Sequence, residues 1–204
     1  MRDVTIFIVD DEPSVRRSLS RLLTAAGYRV KAFESAQEFL RRPRDDSIGC
    51  LVLDVKMPEI NGLELQQALL DTDRSLPIVF ITGHGDIPTS VRAMRAGATD
   101  FLAKPFHESD LLAAIERALG TAREQHVEQG ERHDIEQRLA TLTPRELEVL
   151  RHVITGQLNK QIAADLGTSE KTVKVHRGRA MRKMQVQSVA ELVRLCEKVG
   201  IHGP

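Results

Sequence analysis

Cysteine is nearly absent from this chain: its 204 residues hold two, Cys50 and Cys196, far apart and in apolar surroundings. Neither belongs to a CxxC or Cys/His spacing, so a disulfide framework or a cysteine-ligated metal is excluded, and two small buried hydrophobes are expected. Long apolar runs are missing too; none approaches the roughly 18–20 residues that span a bilayer, so no membrane partner is expected. The N-terminus, MRDVTIFIVDDEP, has acidic residues on both sides of a short apolar run. That is wrong for a secretion signal, and a cytoplasmic location is expected. Internal repeats are absent. So is net charge, with 29 basic residues against 29 acidic ones.

That neutrality hides an asymmetry. Residues 1–120 hold fifteen Lys and Arg against eighteen Asp and Glu, a balance of −3. Residues 121–140 stand at −2 and residues 141–204 at +5. An acidic front and a basic back suggest different partners, and a small basic domain suits nucleic acid. The length accommodates two domains.

Residues 4–9 (VTIFIV) are a β-branched apolar run that stops at Asp10-Asp11. Val15, Leu19, Leu22, Leu23 and Ala26 then follow a helical stripe, with Pro13 in the first turn and Gly27 at the end. A weak strand over 29–33 and a short helix over 35–41 come next, then a buried strand over 50–53 ending at Asp54. The alternation continues with a helix over 62–71, a strand over 77–81, a helix over 88–96, a strand over 99–103 and a helix from Glu108. Short, continuously apolar strands alternating with helices predict an α/β fold, a five-stranded parallel sheet, doubly wound. The run Arg41–Asp46 is expected as a solvated loop. Residues 121–140 lose the apolar rhythm and lack proline, which predicts a linker that extends the preceding helix despite Gly120 and Gly130. After it, Thr143-Pro144-Arg145-Glu146 starts a helix, and three more begin near Asn159, after Ser169 and near Ser188. The two domains are therefore placed at 1–120 and 141–204, the second small and all-α.

In a doubly wound sheet, ligands sit outside the carboxyl ends of the strands. Asp10 and Asp11 end the first strand, Asp54 the third and Thr82 the fourth, and Lys104 follows the fifth. One Asp after a strand is an ordinary turn former, but five polar residues at equivalent places are not explained that way. Crowded carboxylates repel, which raises at least one pKa unless a cation is present, and Mg2+ with oxygen ligands suits them. Asp54 is then a candidate nucleophile, with Lys104 as a point charge and the Thr82 hydroxyl as a donor to a phosphoryl oxygen.

The motifs VDDE (9–12), LDVKMPEING (53–62), ITGHGD (81–86) and FLAKPF (101–106) resemble the response-regulator receiver family, whose fold is the flavodoxin/CheY-like one. The resemblance implies that Asp54 is the phosphoacceptor, phosphorylated by a sensor histidine kinase. It implies Asp11, Asp54 and the main-chain carbonyl of Lys56 as Mg2+ ligands, with Asp10 acting through metal-bound water. Thr82 and Lys104 would contact the phosphoryl group, Phe101 would be the switch aromatic, and the Lys104-Pro105 bond would be cis. His84 is expected to be a loop residue.

The helix after Ser169 can be tested at 100° per residue. Val173, His176, Ala180 and Met184 share one face, with Met181 at its edge, while Lys171, Lys174, Val175, Gly178 and Arg182 share the opposite one. A basic outer stripe with a small apolar contact suits the major groove. Residues 139–198 resemble the LuxR-type helix-turn-helix of FixJ and NarL regulators. That resemblance makes 159–166 the scaffold helix and 170–184 the recognition helix. Lys174 and Val175 would reach bases, and Lys171, Thr172, Arg179, Arg182 and Lys183 would complete the DNA contacts, the last four near phosphates. Leu192 and Leu195 would lie on a dimerising helix. Gly178 departs from the longer residue of many relatives, either admitting the backbone closely or leaving a base pair unread.

The expected function is a two-component transcription regulator, not an enzyme, that forms a homodimer on phosphorylation, binds double-stranded DNA and works with RNA polymerase. Two alternatives stand beside it: a regulator whose receiver is a dimerisation module never phosphorylated, and an aspartyl-phosphate phosphatase, whose nucleophile would follow the first strand rather than the third.

Overall fold

The computed structural model describes residues 4–43, 47–72, 76–83 and 87–204, so His84 and the Arg44–Asp46 end of the expected solvated loop lie outside it. The chain divides into two compact units, Met1–His126 and Val127–Pro204. No described helix is long and apolar enough to cross a membrane.

In the first unit the strands are β1 (Thr5–Val9), β2 (Arg29–Phe33), β3 (Gly49–Asp54), β4 (Ile78–Thr82) and β5 (Asp100–Ala103). They pair in parallel in the order β2-β1-β3-β4-β5. The helices between them are α1 (Pro13–Ala25), α2 (Ala36–Arg41), α3 (Gly62–Leu70) and α4 (Ile87–Arg95), and α5 (Glu108–Ala140) follows. The strand period of two divides the core between the faces. Ile6 and Ile8 of β1, Val52 of β3 and Val79 and Ile81 of β4 point to one side, against Leu19 and Leu23 of α1 and Leu111, Ile115 and Leu119 of α5. Phe7, Val9, Leu51, Leu53 and Phe80 point to the other, against Phe39 of α2, Leu65 and Leu69 of α3 and Ala93 of α4. This is the doubly wound α/β sandwich expected from the alternation. β2 read weakly because it is an edge strand, with Arg29 and Lys31 exposed.

Both cysteines are buried and free, and burial pushes the Cys50 thiol up to about 12. Close packing also explains a glycine. A Cβ on Gly62, the first residue of α3, would stand 2.3 Å from the Asp54 carbonyl oxygen, while the Gly62 N–H donates to Val55 O at 2.9 Å. Gly62→Ala therefore forces backbone apart directly behind Asp54. We expect a loss of about 2–3 kcal/mol in receiver stability by denaturant unfolding, within the usual range for overpacking; an unchanged midpoint would contradict the close approach.

The 33-residue α5 runs to Ala140 through Gly120 and Gly130, since Ala, Arg, Glu and Gln dominate the stretch and outweigh two glycines. The second unit takes the last turns of α5, then α6 (Pro144–Ile154), α7 (Asn159–Asp165), α8 (Glu170–Lys183) and α9 (Val189–Lys198). Its core joins Val149, Leu150 and Val153 of α6, Ile162 of α7, Val173 of α8 with Met184 just past its end, and Leu192 and Cys196 of α9. Ile135, 3% exposed, and Leu139 of α5 belong to that core as well. The starts are capped as the sequence suggests: Thr143 and Glu146 form a reciprocal capping box, and Ser169 and Ser188 accept from Thr172 and Glu191 N–H.

Candidate functional site

β1 and β3 are neighbours, and β2 lies on the far side of β1, so the strand order reverses at their carboxyl ends. There the backbone delivers Asp10 and Asp54 side by side. Lys104, just beyond β5, places its Nζ 2.9 Å from Asp10 Oδ2 and 2.9 Å from Asp54 Oδ1. Asp10 Oδ1 accepts the Glu12 N–H at 2.9 Å, and Asp54 Oδ2 accepts the Lys56 N–H at 2.7 Å. Asp10 is fully buried and the Asp54 side chain is 8% exposed. Burial, with the charge of Asp10, lifts the Asp54 carboxyl above its ordinary range against the pull of Lys104 and the Lys56 N–H. Lys104 is also partly buried, but its bonds to Asp54 and Asp10 outweigh that and hold its ammonium above its usual value. One ammonium thus serves two buried carboxylates, a site short of positive charge.

Thr82 is buried at the end of β4, one residue beyond Ile81, which pairs with Asp54; its carbonyl accepts the Lys104 N–H at 2.7 Å. Phe101 is half-buried on β5, its ring 6.2 Å from that of Phe80. The Lys104-Pro105 bond is cis. Asp11 and the Lys56 side chain are exposed beside the cluster. Two supports were not legible in the sequence. Arg16 Nη1 of α1 donates to the Asp10 carbonyl at 2.6 Å, and Gly62 allows α3 to start against Asp54. Only the NG dipeptide at 61–62 hinted at the second.

Among the described residues no three Asp, Glu, His or Cys side chains gather closely enough to cage an ion. Mg2+ needs no such cage; it takes one or two carboxylates, keeps waters and uses phosphate oxygens. The donors here are hard oxygens, and their shortage of positive charge is what a dication would relieve. The oxygen donors of Asp10 and Asp54 therefore suit Mg2+.

In the second unit, α8 buries Val173 and Ala180, and its C-cap residue Met184 is buried too. His176 is half-buried on the same face, with an Nδ1 that finds no partner among the described residues. Lys171, Lys174, Val175, Gly178, Arg179 and Arg182 are all exposed. Two expected DNA contacts also bond within the domain. The Thr172 hydroxyl lies 2.9 Å from Ser169 Oγ, within the helix cap. Lys183 donates to Glu146 Oε2 at 2.6 Å and to the Thr141 carbonyl at 2.8 Å, so two of its three N–H donors are engaged inside the domain. Glu146 is 3% exposed, and its other bond, from the Thr143 N–H, closes the α6 cap. Lys183 and that cap pull its carboxyl down to about 2. Arg177 on α8 donates to Asn159 Oδ1 at 3.0 Å, and Arg145 on α6 to the Leu166 carbonyl at 2.7 Å, tying the helices of the motif together. Sequence reasoning missed both arginines, because a basic side chain gives no local sign of whether it turns outward or spans two helices.

A five-stranded receiver-type sheet with acid pairs at its switch point, followed by a four-helix unit with an exposed basic helix, defines a class, and comparison with known proteins agrees. Residues 6–116 match the response regulator receiver domain, and residues 140–196 match the bacterial regulatory proteins of the luxR family. The chain is 46% identical to nodulation protein W of Bradyrhizobium diazoefficiens over 96% of its length and 86% of that protein. It is 45% identical to the transcriptional regulatory protein FixJ of Rhizobium meliloti over 96% of each. The solved structure of the response regulator StyR superposes with a TM-score of 0.79 at 49% identity, covering 96% of this chain and 99% of that one. The chain belongs to the two-component response regulators of the FixJ/NarL type, transcription regulators in which a receiver precedes a LuxR-type DNA-binding domain.

Proposed function

We propose that Asp54 accepts a phosphoryl group from a phosphohistidine of a sensor kinase, and that this phosphorylation switches a cytoplasmic, DNA-binding homodimer. The observation that supports it is the Lys104 bridge between Asp10 and Asp54 at the sheet's switch point. An Asp54 oxygen attacks phosphorus, the P–N bond breaks, and the imidazole leaves, giving an acyl phosphate. Lys104 stays within reach of the phosphoryl oxygens as a fixed positive charge, and the Thr82 hydroxyl donates to one of them. Asp11, Asp54 and the Lys56 carbonyl would hold Mg2+, with Asp10 nearby, and the ion would supply the remaining positive charge. Movement of Thr82 toward the phosphoryl group draws Phe101 inward and changes the surface of α4 and β5. The exposed Ile87, Val91 and Met94 of α4 give that surface apolar area for dimer contact. The chain acts on its own phosphoryl group and is not an enzyme for an external substrate.

On DNA, α8 is the recognition helix, with Lys174 and Val175 at base edges and Lys171, Arg179 and Arg182 near phosphates. The dimer, joined through α9, reads paired half-sites and recruits RNA polymerase. The test is incubation of the full chain with a small phosphodonor, with and without Mg2+. A gain of one phosphoryl mass only with Mg2+, and tighter DNA binding at a stated salt concentration, are the expected results; no mass gain would leave the receiver a constitutive dimerisation module. Turnover of small phosphate esters would instead favour a phosphatase.

The DNA face yields its own expectation. Arg179→Ala should lower the slope of log K against log salt by about 1 on all sequences, and Lys174→Ala should cost about 1–3 kcal/mol and relax specificity at one position. Lys183→Gln should leave that slope unchanged, because its ammonium serves Glu146. A drop of about 1 would show Lys183 on phosphate after all.

A further inference from the structure

α8 has a glycine at its midpoint, where glycine weakens a helix relative to alanine. Nothing in the fold calls for Gly178. Its φ is outside the left-handed region, and a Cβ there would meet nothing within 4 Å. Gly120 and Gly130 of α5 are equally open, so an unneeded helical glycine by itself means little. The neighbours set Gly178 apart. At helical spacing it is ringed by Lys171, Lys174, Val175 and Arg182, at i−7, i−4, i−3 and i+4, and all four are exposed. Val175 is 45% exposed, a large apolar side chain left on the basic face of a helix whose opposite face holds the core.

A gap bounded by cationic stems and floored by bare backbone lets that backbone come close to a ligand. With Val175 beside it, the gap is apolar at its base and positive at its rim. In the major groove the one apolar mark is the C5-methyl of thymine, set among hydrogen-bonding edges and flanked by phosphates. We propose that Gly178 determines specificity: with Val175 it forms a notch that seats one thymine methyl in each half-site. The proposal rests on α8 being the recognition helix. It makes an unusual demand, that stability and DNA affinity move in opposite directions when the notch is filled.

The experiment uses the full chain. A binding site is first selected with the phosphorylated wild-type protein, and each thymine of one half-site is then replaced in turn by deoxyuridine. Loss of the methyl at one position should weaken wild-type binding about fourfold, the worth of one buried methyl group. Gly178→Ala should raise the melting temperature of the C-terminal unit by about 4 °C. The same variant should bind the selected site about tenfold more weakly with the same salt slope. It should also no longer distinguish the critical thymine from deoxyuridine. Binding by Gly178→Ala equal to wild type, or indifference of the wild type to every deoxyuridine, would overturn the proposal while Lys174→Ala still loses affinity. If Lys174→Ala and Arg179→Ala also bind unchanged, the assignment of α8 itself fails, and the proposal with it.

Discussion

Asp54→Asn should abolish the phosphoryl mass gain entirely and, with it, any effect of a phosphodonor on DNA affinity, while leaving the receiver folded and slightly more stable. The first half follows from chemistry: an amide oxygen at this position is no nucleophile, and no other described carboxylate stands bonded to Lys104 except Asp10, which is fully buried. The second half follows from electrostatics. Asp54 sits in the fold with its carboxyl raised, because burial and the neighbouring Asp10 outweigh Lys104 and the Lys56 N–H. A carboxyl whose folded pKa is raised is charged at neutral pH at the expense of stability, so a neutral isostere relieves that cost. Lys104 keeps Asp10 as its partner in the variant. Mass spectrometry after incubation with a small phosphodonor and Mg2+ reads the first effect. Thermal unfolding without Mg2+ reads the second, and a fall of several degrees on replacing Asp54 would show that the Lys104 bond outweighs the repulsion.

Lys183→Met should destabilise the DNA-binding unit by about 3 kcal/mol at neutral pH, since removing one member of a buried pair leaves the other charge uncompensated. For a unit of this size that is a fall of roughly 12 °C or more in melting temperature. Glu146 is the member left behind. Glu146 is 3% exposed and keeps its bonds to Thr143, whereas Lys183 has a half-exposed stem able to reach water. Glu146→Gln should therefore cost less, about 1–2 kcal/mol, because the amide can still accept from Thr143 and leaves no buried charge. The pH dependence has a definite sign. Glu146 has its folded pKa lowered from 4.5 to about 2. Its contribution is fully present above pH 4.5 and is lost as pH falls from there toward 2. Acid should thus weaken the wild-type unit over that window and should narrow the gap between it and Lys183→Met, where protonation relieves the stranded charge. A gap that stayed constant down to pH 2 would sink this account. Because the pair joins the start of α6 to the end of α8, DNA binding should fall with folding in these variants, without a change in sequence preference.

Legibility differed between the two units for a reason that particular residues make clear. The sheet was readable because β1, β3 and β4 are buried on both faces, and such strands must be continuously apolar whatever lies next to them. Helix starts were readable because caps are local: Thr143, Ser169 and Ser188 each act within three residues. Ile135 and Leu139 were not readable as core. They are two apolar residues in a charged, Gln-rich stretch, and their burial depends on α6 and its neighbours rather than on any rhythm of their own. Lys183 looked like one more cation of a basic helix. Its commitment to Glu146 rests on a contact 37 residues away.

By itself, then, the sequence determined the alternating strands and helices, the capped starts and the five polar residues that follow apolar strands, since each depends on periodicity or on chemistry within a turn. Tertiary structure alone decided the strand order β2-β1-β3-β4-β5 and the meeting of Lys104 with Asp10 and Asp54, across 94 and 50 residues of chain. It also decided which cations of α8 face outward and which are consumed inside. Short-range patterns reflect which side of an element is buried; which buried sides meet is set by packing between elements distant in the chain, and no local pattern records that.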